Sequence, residues 1–216
     1  MSLSGGSGRA NLPSPFKHRW IVKLRGIAVL VAAVAVAGCS DSPTPPIVGF
    51  NGALSFTFTG GGGGTHSASG DFTTITSANL YTAPWAYGVR SDADVVVGVV
   101  SNQPRTLTTH DLTVIAINRL TPGTASFSAT CDPEVDTACT GLIFYRGQSN
   151  TFATFEFFCI LTSGTVNLTA LSTTRAQGTF SGNGFCFDSA ENSEPFAVTG
   201  GSFDVAVLSD SQLPSE

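Results

Sequence analysis

The sequence predicts an all-β protein: one antiparallel β-sandwich or flattened β-barrel of about ten short strands. Three observations carry that expectation. Past Gly38 no window of a dozen residues keeps the 3.6-residue apolar period of a helix. Short stretches instead alternate apolar and polar residues and are punctuated by glycine, asparagine and serine at regular intervals. The composition is also that of a chain able to bury a core, with 42% hydrophobic residues, 16 Phe, 24 Gly and only 12% charged residues. At 216 residues the chain is sized for one domain, expected here over about residues 47–210.

The strands follow in order. Ala53–Thr59 puts Leu54, Phe56 and Phe58 on one face and Ser55, Thr57 and Thr59 on the other, the pattern of a half-buried strand. Gly60–Gly64 comes next. A phosphate-cradling loop needs a following helix and usually a lysine, whereas Thr65–Ser69 reads as a second strand, so the glycines form a flexible hairpin tip. Further strands are expected at Phe72–Thr82, Ala86–Arg90, Val95–Ser101, Leu107–Arg119, Ala125–Thr130, Leu142–Tyr145, Phe152–Leu161, Thr165–Leu171, Ala176–Phe180, Gly184–Phe187 and Ser202–Leu208. Turns at Gly123, Gly147 with Asn150, Ser163-Gly164, Gly182-Asn183 and Gly200-Gly201 separate them, and a short helical turn fits near Asp188–Ser193. Val95–Val100 and Thr113–Ile117 are apolar on both faces, as strands in the middle of a core are.

The N-terminal residues read as an address. Lys17, Arg19, Lys23 and Arg25 precede the apolar run Ile27–Ala37, which is short for a bilayer span and suited to a signal peptide. The run ends in Val36-Ala37-Gly38-Cys39, which resembles the lipobox of bacterial lipoproteins. That resemblance implies a signal peptide over residues 1–38, a diacylated Cys39 as mature N-terminus, and anchoring without a spanning helix, since each buried acyl methylene contributes about 0.8 kcal/mol. Ser40 behind the cysteine, rather than Asp, implies the outer membrane over the inner one. Ser40–Pro46 is then an extended tether. The n-region is long, and Val22 is a candidate later start, giving the compact Val22-Lys-Leu-Arg25. The tail, from Gly178-Thr-Phe-Ser-Gly182 through Val198–Val205, reads as a closing hairpin. It is similar to small uncharacterised envelope lipoproteins of environmental bacteria that end in a Gly-x-Phe strand pair, which have no catalytic residues to carry over.

Behind Cys39 lie five arginines, fifteen acidic residues and no lysine, a net charge of −10. Such a domain does not bind nucleic acid or anionic headgroups through bulk charge, and it lacks the amine for Schiff-base or Ser-Lys chemistry. Four further cysteines in an exported chain imply two disulfides, with three possible connectivities. Cys131–Cys139 is favoured because it brackets a turn-rich segment, and Cys159–Cys186 because both lie in apolar strands. Chain entropy assigns about 2.5 and about 3.5 kcal/mol to the two rings. Zinc is the competing reading, but no C-x₂-C knuckle is present.

Candidates for chemistry are sparse. His66 and His110 sit in separate strands and read as surface or loop residues; His110 and Asp111, being adjacent, point to opposite faces. No G-x-S-x-G elbow is present, because Gly178–Gly182 carries its serine one place late. Asp92 and Asp94 flank a turn, and Glu156 interrupts a phenylalanine-rich strand as an outward residue or an interior acid. Asp132, Glu134 and Asp136 alternate between Cys131 and Cys139 as weak calcium candidates. The EF-hand pattern fails there, with Thr137 and Ile143 where Gly and Glu are needed. Trp85 and Tyr87 share a strand face, either stacking on a sugar or peptide or serving as core aromatics. No cofactor is implied. The resulting expectation is a lipid-anchored, non-catalytic binding or structural module of the cell envelope, with an envelope protein or polysaccharide as partner. A calycin-like carrier of an apolar ligand and a hydrolase with an unrecognised site are the alternatives. An interior cavity mouthed by polar groups would favour the carrier, and a filled core the module.

Overall fold

The computed structural model describes residues 51–71, 74–76, 79–90, 96–131, 139–148 and 155–209. The signal-peptide, lipobox and tether segments, with Val22 and Cys39, lie outside the described residues, as do Asp92, Asp94, Asp132, Glu134 and Asp136.

The described residues form ten strands: β1 (Asn51–Thr59), β2 (Gly64–Asp71), β3 (Trp85–Arg90), β4 (Val96–Pro104), β5 (Thr109–Asn118), β6 (Gly123–Ser126), β7 (Gly141–Gln148), β8 (Phe155–Leu171), β9 (Arg175–Asp188) and β10 (Ser193–Ser209). They form one sheet in the order β2-β1-β10-β3-β4-β5-β7-β8-β6, with β9 paired to both β10 and β8. Because β9 joins the two, the hydrogen-bonded path returns on itself, and β1–β2 and β6 branch from it. The architecture is therefore all-β, a flattened and branched barrel rather than a clean one. Pairing is antiparallel except where Val207–Ser209 of β10 runs parallel to Gly88–Arg90 of β3.

Three strands are longer than their sequence punctuation suggests. Ser163-Gly164, Gly182-Asn183 and Gly200-Gly201 do not end strands. They lie within β8, β9 and β10, where the register of β8 slips between Leu161 and Ser163 and that of β10 between Val198 and Gly201. A bulge bends a strand without breaking its pairing, so β8 and β10 each serve two neighbours in turn along one edge, while β9 pairs both of them along its two edges. β8 pairs β7 as far as Ile160 and β6 from Thr165. β10 pairs β1 as far as Asp204 and then β3. Glycine is required at Gly164, whose φ is +117° and where a Cβ would lie 2.2 Å from the Ser181 carbonyl oxygen.

Two other local expectations change. The described part of Phe72–Thr82 is turn and irregular chain; Asn79 accepts from the Thr76 amide at 2.6 Å and donates to the Thr74 carbonyl. The β9–β10 connection is not a helical turn but a tight loop closed by Asp188, whose carboxylate accepts from the Ala190 and Asn192 amides and the Asn192 side chain.

Strand alternation produces two apolar clusters. Leu54, Phe56, Phe58, Ile115, Phe144, Phe157, Phe180, Phe196 and Phe203 fill the interior. Phe144 sits among Phe56, Phe58, Phe157 and Phe196, with ring centroids 4.7–6.0 Å apart. At roughly 1.5–3 kcal/mol per buried side chain, these rings are the main stabilising term. The opposite face of β3, β4, β5, β7 and the start of β8 carries the second cluster, including Trp85, Tyr87, Val100, Leu112, Tyr145 and Phe158, with Leu80 from the β2–β3 connection. This explains why β4 and β5 are apolar on both faces. Both disulfides have the expected connectivity, Cys131–Cys139 and Cys159–Cys186. The second joins residues directly opposite each other on β8 and β9 and faces the interior.

Candidate functional site

Polar and charged side chains gather inside one pole, where the β1–β2, β4–β5 and β9–β10 hairpins turn. β5 begins here, and its alternation points Asp111 and Thr113 inward along with Ile115, while His110 and Leu112 point to the outer cluster. On neighbouring β7, Arg146 follows Leu142 and Phe144 inward. Arg146 grips Asp111 with two hydrogen bonds, Nε to Oδ1 at 2.7 Å and Nη2 to Oδ2 at 3.1 Å. Its guanidinium lies 4.8 Å from the Phe157 ring centroid. Arg105, from the β4–β5 turn, adds an ion pair to Asp111 at 3.5 Å and donates to the Thr65 carbonyl at 3.4 Å. Asp111 is fully buried, so the arginines compensate a charge that would otherwise be very costly.

The glycine run closes this pole. Gly60–Gly64 all take positive φ, and the Gly63 amide donates to the Gly60 carbonyl at 2.9 Å. Only glycine adopts such a succession without penalty. Gly61 packs against the Phe157 ring, where a Cβ would come within 2.8 Å, and its amide donates to the Glu194 carboxylate. The tip is thus a fitted hairpin held from β8 and β10.

His66 and His110 are both buried, contrary to the surface or loop expectation. Adjacent to β3's start, β2 and β4 approach without ladder hydrogen bonds, and side chains bridge the seam. His66 Nε2 is 2.9 Å from Ser101 Oγ, and the Ser67 amide donates to Gln103 Oε1 at 2.8 Å. His66 also stacks on Phe56. Burial, with a smaller contribution from the Arg105 charge, holds its pKa down at about 3. Burial likewise lowers His110 to about 4, where the imidazole sits against the Tyr81 and Tyr145 rings. A base that weak accepts a proton poorly at neutral pH. The Ser101–His66 pair has the spacing of a nucleophile and its base, yet both residues are fully buried, and the geometry makes it a staple of the seam.

The remaining candidates separate. Trp85 and Tyr87 are buried in the second cluster, 5.4 Å apart, with the Trp85 indole donating to the Leu80 carbonyl at 2.7 Å; they are core aromatics. Glu156 is an exposed, outward residue. Among the described residues no group of three His, Cys, Asp or Glu side chains stands close enough to hold a metal ion. A recess beside Cys131, Leu142 and Leu161 has about 10 Å³, room for about one water. The Asp111–Arg146 pair was missed from the sequence, although a signal existed. Asp111 shares parity with Ile115 and Ile117, and Arg146 with Leu142 and Phe144, so two opposite charges on core faces required each other.

No protein family, no curated protein and no solved structure matches this chain in comparisons of sequence and fold.

Proposed function

We propose that the protein is a lipid-anchored, non-catalytic binding module of the bacterial cell envelope, held at the outer membrane through Cys39. The observation that carries the module over the carrier is the filled interior. Phe56, Phe58, Phe144, Phe180 and Phe196 occupy the space that a carrier would leave for an apolar ligand. Both described histidines are sealed and weakly basic, and Asp111 is engaged on both oxygens by Arg146. Recognition therefore falls to the outer surface, which a stapled, disulfide-linked scaffold holds in place. The anchor rests on the basic residues, the Ile27–Ala37 run and the Val36–Cys39 sequence. Two disulfides suit an oxidising compartment.

Growth with radiolabelled palmitate tests the anchor. Wild type is expected to carry label in the membrane fraction, and Cys39→Ala to lose it. Label retained on Cys39→Ala refutes the assignment. Turnover by the purified protein in a broad hydrolase screen refutes the non-catalytic reading.

A further inference from the structure

We infer that the outer face of the β2-β1-β10-β9-β8-β6 layer binds a neutral polysaccharide chain, seated along β9 with Phe185 as its stacking platform; this rests on the reading of the protein as a binding module. Strand register aligns Ser67, Ser55, Ser202, Thr179, Asn167 and Thr124 in one row across all six strands. The next row runs Thr65, Thr57 and Thr199 and continues past the β10 bulge as Ser181, Thr165 and Ser126. These side chains point outward, and all are exposed except Ser55, which is half-buried. Hydrogen bonds fix part of the array: Ser55 and Ser202 hydroxyls lie 3.3 Å apart, and Thr124 donates to Asn167 at 3.3 Å.

Neither row contains a charge, in a chain that carries −10 behind Cys39. Beside them Arg175 and Asp204 neutralise each other at 2.5 Å. The two rows themselves therefore offer neither a polyanion nor a polycation a charged contact. A second, independent feature sits on the same outward side of β9. The sequence Thr179, Ser181, Asn183 and Phe185 alternates outward, and Phe185 is 46% exposed, one of three exposed large hydrophobics among the described residues. Phe185 stands between Pro195 on β10 and the half-buried Ile160 on β8, an apolar strip small against the roughly several hundred Å² that a protein partner needs. A sugar ring has matching chemistry, with a C–H face that packs on an aromatic ring and hydroxyls that both donate and accept. The distance along β9 from Thr179 to Phe185 is about 20 Å, enough for several sugars.

Electrophoresis of the purified protein through gels containing dextran, soluble starch, galactomannan or laminarin tests this, with alginate as the anionic comparison. At least one neutral polymer is expected to retard the protein equally at low and high salt. Phe185→Ala should weaken that retardation by about tenfold or more, as loss of an aromatic anchor does. Thr179→Val, which keeps the shape and removes the hydroxyl, should weaken it several-fold, and Leu107→Ser in the β4–β5 tip, outside both rows, should not change it. Circular dichroism of each variant checks the fold. Retardation by none of the neutral polymers, by alginate alone with loss in salt, or undiminished in Phe185→Ala overturns the inference and leaves the non-catalytic reading standing. Release of reducing ends from a polymer that binds through Phe185 supports the surface and overturns the non-catalytic reading.

Discussion

Lowering the pH should destabilise the protein well above the range in which carboxylates titrate, and His66 should account for about half of the effect. His66 and His110 are held at about 3 and about 4, against 6.5 for an unburied histidine. Between the folded and unfolded values the unfolded chain binds the extra proton, so stability is complete above about pH 6.5 and falls as the pH drops through that window. Each pH unit across it costs about 1.4 kcal/mol per histidine. At two units below the free value the loss is about 3 kcal/mol for each, a large part of the 5–15 kcal/mol typical of a domain. The perturbation is His66→Phe combined with Ser101→Ala, which replaces both partners of the seam bond and leaves neither orphaned. Urea unfolding of the oxidised protein, followed by the fluorescence of buried Trp85, gives stability at several pH values. The double variant should retain the His110 contribution alone, and its fall between pH 7.5 and 4.5 should be about half that of wild type. Parallel curves for the two proteins would refute the placement of a neutral, sealed His66.

Two further perturbations follow from the interior. Arg146→Ala leaves Asp111 buried with only the longer Arg105 contact, and should cost about 3–5 kcal/mol by urea unfolding; a change under about 1 kcal/mol would mean that the pair is not buried as described. Cys159→Ala with Cys186→Ala opens a ring of sequence separation 27 on the interior face and should cost about 2–5 kcal/mol, while mapping of the non-reduced protein should still recover the Cys131–Cys139 link.

Much of the fold was legible because alternation and strand geometry share a period of two. Leu54, Phe56 and Phe58 announce both β1 and its buried face. Cysteine pairing was legible for related reasons: a short turn-rich ring and two apolar strands are the places where the four thiols can meet. The lengths of β8, β9 and β10 were not legible. Ser163-Gly164 and Gly200-Gly201 look the same whether glycine ends a strand or bends it, and the difference lies in whether a neighbour continues the ladder past the bulge. The histidines were misplaced for a similar reason. His66 on its strand has glycine, serine and threonine around it, and nothing local reveals that Phe56, Phe144 and Ser101 enclose it.

By itself the sequence determined the all-β class, the Gly60–Gly64 tip and the buried faces of strands such as β1, and it favoured the observed cysteine pairs among three connectivities, since each depends on residues close in the chain or on one repeating period. Only the tertiary structure decided that bulged β8 and β10 each change neighbours along one edge while β9 joins them, that Asp111 and Arg146 satisfy one another inside a pole, and that hydroxyls from six strands fall into rows. Those features depend on which strand lies beside which and in what register. Register is set by the packing of both faces together, through residues far apart in sequence.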